Sequence, residues 1–294
     1  LKEAHTVAES LPKVLVIWQY NRAVPAPLSD VLAALERLAP LEFAESWDNV
    51  GLLVEPIAIV EAPQVEHALL TIELSPEVAR EAAELGAQLI VAYHPPIFQG
   101  LKRLRASDPG QQALLSCLAR GAAIFSPHTA LDAAPGGLND WLLDAFGPGA
   151  RRVCLPHAAD PRFGQGRSVV LEQPLTLNEA LARIKHHLGL ERVRVSPAPA
   201  HVGESRSIRS IAVCAGAGGS VFEKLPAFDL FVTGEMRYHE VRARALGGSS
   251  VVLCEHTHTE RGFLPLLAQR LSRETAGQVT FHVSRCDREV LSFV

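Results

Sequence analysis

Residues 88–96 read Gln88-Leu89-Ile90-Val91-Ala92-Tyr93-His94-Pro95-Pro96. The apolar run is unbroken and too short for a helix, as in a strand buried on both faces, and two prolines stop it. Upstream, Ser75-Pro76-Glu77 supplies an N-cap, a proline at the first helical position and a first-turn acid, so a helix opens there. Gly86 suits its left-handed stop. Residues 68–74 form another apolar strand before it. Strand, helix and strand in this order describe a parallel crossover, and hence an α/β fold.

The alternation extends both ways. Toward the N-terminus, Leu28-Ser29-Asp30 opens a helix with Ser29 as its cap, and 50–54 is a short strand. Toward the C-terminus come a helix at 111–120, a strand at 122–126 and a helix at 138–146. Further strands are expected at 167–172, 210–214, 229–232, 251–254 and 279–283, with helices at 177–188, 238–246 and 262–273. The division expected is a first α/β half at 28–150, a passage segment with strand and helix at 151–206, and a second α/β half at 207–294. Residues 1–27 read as an N-terminal extension, with Pro25-Ala26-Pro27 as a linker.

Composition narrows the class. With 48% hydrophobic and 20% charged residues, the 294-residue chain can bury a core and is not disordered. The longest apolar runs fall far below the ~18 residues of a spanning helix, so no membrane span is expected. Net charge is −4 with no basic block, so nucleic acid is not an expected partner. Five dispersed cysteines without a CxxC pair read as reduced thiols, which points to the cytoplasm, with nucleus or mitochondrion as alternatives.

Ligands of open α/β sheets bind beyond the carboxyl ends of the strands, and four polar clusters fall there. They are His94 before its prolines, His128 with Asp132, Glu235 with His239, and His256 with Glu260. Taken singly, each is also read as a strand stop, a cap or a surface pair. Together, imidazole and carboxylate without thiolate suit Zn²⁺, Mn²⁺ or Fe²⁺. His186 and His187 sit late in a helix, where they complement its dipole. The turn holding Gly216, Gly218, Gly219 and Ser220 offers backbone amides to a phosphate, or simply lets a strand turn tightly into a helix.

At these clusters the chain resembles the NIF-three-like family, named for NGG-one interacting factor three and also described as type-two GTP cyclohydrolase homologues. The matching stretches are Trp47-Asp48-Asn49-Val50-Gly51-Leu52-Leu53 within 43–56, Tyr93-His94-Pro95-Pro96-Ile97-Phe98, and Pro127-His128-Thr129-Ala130-Leu131-Asp132 within 126–139. Thr233-Gly234-Glu235-Met236 follows, then Cys254-Glu255-His256-Thr257-His258-Thr259-Glu260-Arg261-Gly262 within 253–264. The resemblance is to the eukaryotic branch and its short form, and covers nearly all of 29–294.

It implies two interlocked α/β domains with a dinuclear metal site between them, and homo-oligomers that form rings of dimers. It places metal ligands at His94, Asp132, His256 and Glu260, with Asp132 and Glu260 as bridging candidates. His128 and Tyr93 stand beside them as ligands or supporting groups. Glu235 and His239 are candidates for proton transfer or substrate contact. Two departures are evident: Tyr93-His94 stands where many relatives carry His-His, which implies a weak or empty metal position, and Tyr238-His239 likewise, which implies altered substrate or supporting contacts. The function implied is a metal-dependent hydrolase of a nucleotide-like or phosphorylated small molecule, with GTP ring opening as the version in the family's label. The alternatives are a metal-stabilised interaction protein with a transcription-factor partner, and a ring enclosing nucleic acid.

Overall fold

A computed structural model describes residues 24–57, 63–204 and 207–292. The strands are β1 (Ala26–Pro27), β2 (Gly51–Val54), β3 (Gln64–Val65), β4 (His67–Thr71), β5 (Leu89–Ala92), β6 (Ala123–Ser126), β7 (Gly149–Pro156), β8 (Gly164–Leu175), β9 (Arg194–Ser196), β10 (Ile208–Ala217), β11 (Leu230–Glu235), β12 (Ser250–Leu253) and β13 (Thr280–Val283). The α-helices are α1 (Leu28–Leu38), α2 (Pro76–Glu84), α3 (Pro109–Ala119), α4 (His128–Ala133), α5 (Leu138–Leu143), α6 (Leu177–Leu188), α7 (Gly219–Glu223), α8 (Tyr238–Leu246), α9 (His258–Arg261) and α10 (Leu264–Glu274).

One sheet runs β13-β4-β5-β6-β2. Its first four strands are parallel and β2 closes the edge antiparallel to β6. Leu89–Ala92 and Ala123–Ser126 are buried throughout, which is why they carry no polar alternation. Ser75 accepts the Val78 amide with Pro76 behind it, so α2 begins where its cap is written. Gly86 follows its end at φ +63°, a conformation that favours glycine.

The second sheet runs β7-β8-β10-β11-β12-β9, parallel only through β10, β11 and β12. Alternate residues of the two sheets separate into cores. Leu69, Ile90 and Ile124 pack with α2 and α3, and Ala212, Phe231 and Val251 with α7 and α8. Leu70, Val91 and Phe125 share one continuous core with Val169, Ile211 and Val232 of the other sheet. The halves are therefore joined by a common hydrophobic interior.

The structure revises several expectations. Ala26–Pro27 is not a linker: it pairs with β3, and Ala26 is buried. The earlier part of the expected extension, 1–23, lies outside the described residues. Pro27, not Ser29, occupies the N-cap of α1; the Ser29 hydroxyl donates to Asp30. Residues 151–206 are more than a passage, since they supply most of β7 and all of β8 and β9 of the six-stranded sheet. β8 contains the expected strand at 167–172 but runs further at both ends, its start obscured by the buried polar Gln165, Arg167 and Ser168. Finally, β13 returns to the first sheet beside β4, so the chain's end interlocks the halves.

Candidate metal centre

Three strand ends converge. After β5 the backbone bends at Tyr93 and His94, still tied to the neighbouring strand's end by Tyr93 N donating to Thr71 O and His94 N to Ile72 O. After β6, His128 opens α4 at φ +23°, and Asp132 lies one turn on. After β12, Glu255 takes φ +64°, His256 follows, and α9 carries Glu260 one turn later. Two non-glycine residues in the left-handed region at these junctions are strain held by the surrounding structure.

His94, His256 and Glu260 each offer a ligand atom, and the three atoms lie within 4.8 Å of one another. His94 Nε2 is 3.5 Å from Glu260 Oε2, and His256 Nε2 is 3.3 Å from Glu260 Oε1. The outer nitrogens face other carboxylates: His94 Nδ1 meets Glu73 at 2.6 Å and His256 Nδ1 meets Glu235 at 3.1 Å. This fixes both rings with Nε2 turned inward, as in carboxylate–histidine–metal arrangements.

Glu260 is fully buried, and its Oε2 has no hydrogen-bond partner among the described residues. A buried carboxylate oxygen left unpaired costs about 1–3 kcal/mol or more. A cation between the imidazoles offsets that cost, so the donor set fits a divalent ion. Gly216 closes over the cluster: a Cβ there would sit 2.7 Å from Glu260 Oε1 and 2.9 Å from His256 Nε2.

Electrostatics follow from the packing. Burial pulls the His94 imidazole toward neutrality, but Glu260 and Glu73 overcome it and hold its pKa at about 10. Burial lifts Asp132 to about 6, with Glu260's charge adding and His128 and Tyr93 opposing. Burial and the neighbouring Asp132 push the Tyr93 phenol well above its usual range. It is a neutral group whose hydroxyl donates a hydrogen bond to Asp132 Oδ1 at 2.7 Å. His128 Nδ1 meets the buried carboxylate of Asp48 at 2.8 Å. Burial would raise the Asp48 pKa, but His128 and Thr129 outweigh it and lower it.

Two members of the cluster, His256 and Glu260, line a cavity of about 430 Å³ together with Tyr93, His128, Asp132, Trp47 and Lys224. Of the four expected ligands the structure groups His94, His256 and Glu260; Asp132 and His128 line the same cavity but lie outside that group, and Glu235 reaches His256. His239 stays exposed on α8, edge-on to Tyr238 at 5.3 Å, with no described contact to the cluster. In the glycine turn, Gly216 N donates to Thr259 Oγ1 and Gly218 N to Thr233 Oγ1, so those amides face inward rather than toward a phosphate. Gly219 lines other cavities, while Gly216 and Ser220 line this one.

Three participants were not anticipated. Glu73 lies just past β4, so the strand-end rule would have found it. Asp48 sits in a loop far from His128 in sequence, and nothing local signals the pair. Asn139 is fully buried and joins the halves, accepting from Ala215 N and donating to Asp132 O. The buried thiols are inert; burial holds Cys254 at about 12.

The Duf34/NIF3 (NGG1p interacting factor 3) model matches residues 26–289. NIF3-like protein 1 of Drosophila melanogaster is 39% identical over 252 residues, 84% of each chain. NGG1-interacting factor 3 of Saccharomyces cerevisiae is 34% identical, with 91% of this chain and 98% of that one aligned. Among solved structures, a Bacillus cereus protein related to NIF3 superimposes with a TM-score of 0.78 at 20% identity, covering 90% of this chain and 98% of that one. Reduced HcgD from Methanocaldococcus jannaschii gives 0.72 at 20% identity, covering 89% and 98%. At such identities these likenesses speak for the fold.

Proposed function

Because the chain belongs to the Duf34/NIF3 family, we propose that it is a metal-dependent hydrolase of a nucleotide-like or phosphorylated small molecule. The observation that carries the metal reading is the buried, unpartnered Glu260 oxygen between two inward-facing imidazoles. His94, His256 and Glu260 hold one divalent ion, whether Zn²⁺, Mn²⁺ or Fe²⁺. Asp132 and His128 offer a second position, but there an ion competes with Tyr93 for Asp132. The second position is therefore the weaker one. A bound divalent ion supplies Lewis acidity and acidifies water.

The chain's own groups do the rest. Glu73 and Glu235, facing the Nδ1 atoms, orient the two imidazoles with Nε2 toward the position the ion would take. Asp132 lines the same cavity, and its proton affinity lies near neutrality, so it is placed to exchange a proton with a bound reactant. Tyr93 holds that carboxyl, and Asn139 holds the Asp132 backbone carbonyl.

The test is a hydrolysis screen of nucleotides and phosphomonoesters with metal-reconstituted protein, run beside Asp132→Asn and Glu260→Gln. Turnover that both variants abolish supports the proposal, and turnover that survives Glu260→Gln removes it. The yeast relative's printed name favours a protein partner as a second reading. Tyr238 and Leu246, exposed on α8 at 73% and 69%, are the apolar surface such a partner would cover. Assembly into a homo-oligomeric ring is the remaining element of the proposal, and light scattering on the intact chain measures it.

A further inference from the structure

The cavity lined by His256 and Glu260 also carries side chains that the metal reading does not use. Trp47 lines that cavity while 60% of its surface stays exposed. Its indole stands edge-on to His128 at 6.2 Å and 6.1 Å from Phe98, itself 48% exposed. A large aromatic left in water forgoes burial energy that the core rewards elsewhere. On the wall of a cavity, such a face is what a planar ring covers.

The opposite half of the molecule contributes a charge. Lys224, directly after α7, lines the same cavity, is exposed, and has no ion pair among the described residues. Because Gly216 N and Gly218 N are committed to threonine hydroxyls, the Lys224 ammonium is the stronger donor this wall has for an anion. The volume, about 430 Å³, is that of a small-ligand site.

We propose that this cavity binds a planar aromatic ring carrying an anionic group, the ring against Trp47 and the anion at Lys224. An aliphatic phosphate would leave the indole uncovered, and an uncharged ring would leave the ammonium unused. The inference deepens the proposed function and rests on it for the identity of the reacting bond, whereas the two contacts themselves need no metal.

Calorimetry on the full chain, metal-free and Zn²⁺-loaded, tests it with adenosine 5′-monophosphate, adenosine and ribose 5-phosphate as probes. The monophosphate should bind more tightly than either fragment. Trp47→Ala should weaken the two ring-bearing probes roughly tenfold or more and leave ribose 5-phosphate unchanged. Lys224→Gln should weaken the two phosphate-bearing probes about tenfold and leave adenosine unchanged. Both side chains are exposed, so both variants should fold, and Trp47→Phe should recover ring binding. A monophosphate bound no better than ribose 5-phosphate, or equally well by Trp47→Ala, overturns the inference. Metal analysis of the same samples separates the two ideas. Ring and anion selectivity in a chain that takes up no metal would sink the metal reading alone; full metal without that selectivity would sink this one alone.

Discussion

Replacing Gly216 by alanine puts a methyl group where the structure leaves no room. Its Cβ would stand 2.7 Å from Glu260 Oε1 and 2.9 Å from His256 Nε2. Ordinary contacts of carbon are longer, so the two ligands must retreat by roughly half an ångström or more. Metal–ligand distances tolerate about 0.2 Å. The residue also sits at φ +59°, which costs an L-residue about 1–2 kcal/mol. Gly86 supplies the control: its φ is +63°, and nothing lies within 4 Å of its Cβ position. Gly86→Ala should lose only the backbone contribution and keep metal affinity. Gly216→Ala should lose a similar amount of stability through its backbone and also bind metal about 10–100-fold more weakly. Urea melts measure the first quantity, and chelator competition with Zn²⁺ the second. Gly216→Ala with wild-type metal affinity would refute the placing of the ion between Glu260 and His256.

Other consequences are as direct. Arg167 is buried, pairs with Asp140 at 3.0 Å and donates to the carbonyls of Ala133 and Ala134 behind Asp132. Arg167→Met should therefore cost about 3 kcal/mol in urea melts, and a loss below about 1 kcal/mol would contradict the buried network. Asp287 accepts from Ile72 N at 2.7 Å in the first sheet and pairs with Arg261 at 2.5 Å on α9. Asp287→Ala should cost roughly 2–3 kcal/mol and speed amide exchange at Ile72 and along α9; unchanged exchange would show that this contact does not fasten the halves. Burial lowers the pKa of His187, packed on Trp141 at 4.4 Å. Its neutral form is favoured in the fold, so its contribution is present above the unfolded value near 6.5 and is lost as pH falls through the depressed folded value. His187→Gln should flatten the stability profile below pH ~6.5, and an unchanged slope would assign the loss to other groups.

The legible part of this molecule is the part buried on both faces. Leu89–Ala92, Ala123–Ser126 and Ser250–Leu253 are nearly free of polar residues because parallel strands under helices have no wet side. Their ends were therefore readable, and His94, His256 and Glu260 with them. Gly164–Leu175 was only half readable, because its buried Arg167 is satisfied by carbonyls and by Asp140 that only the folded chain brings near. The site's supports follow the same division. Tyr93 announces itself by standing in a histidine's place, yet its bond to Asp132 depends on the spacing of two strands. Asp48 with His128, and Asn139 with Ala215, join residues 80 and 76 positions apart. No local pattern encodes such pairs.

The central claim is that two sheets bring His94, His256 and Glu260 together to hold a cation. Elemental mass spectrometry of the untagged full chain, purified without added metal, tests it beside Glu260→Gln, which keeps the side chain's shape and removes its charge. The wild-type chain should hold one tightly bound divalent ion and the variant almost none, with both chains equally folded by circular dichroism. Equal metal in the two, or none in the wild type even after incubation with Zn²⁺, Mn²⁺ and Fe²⁺, would contradict it.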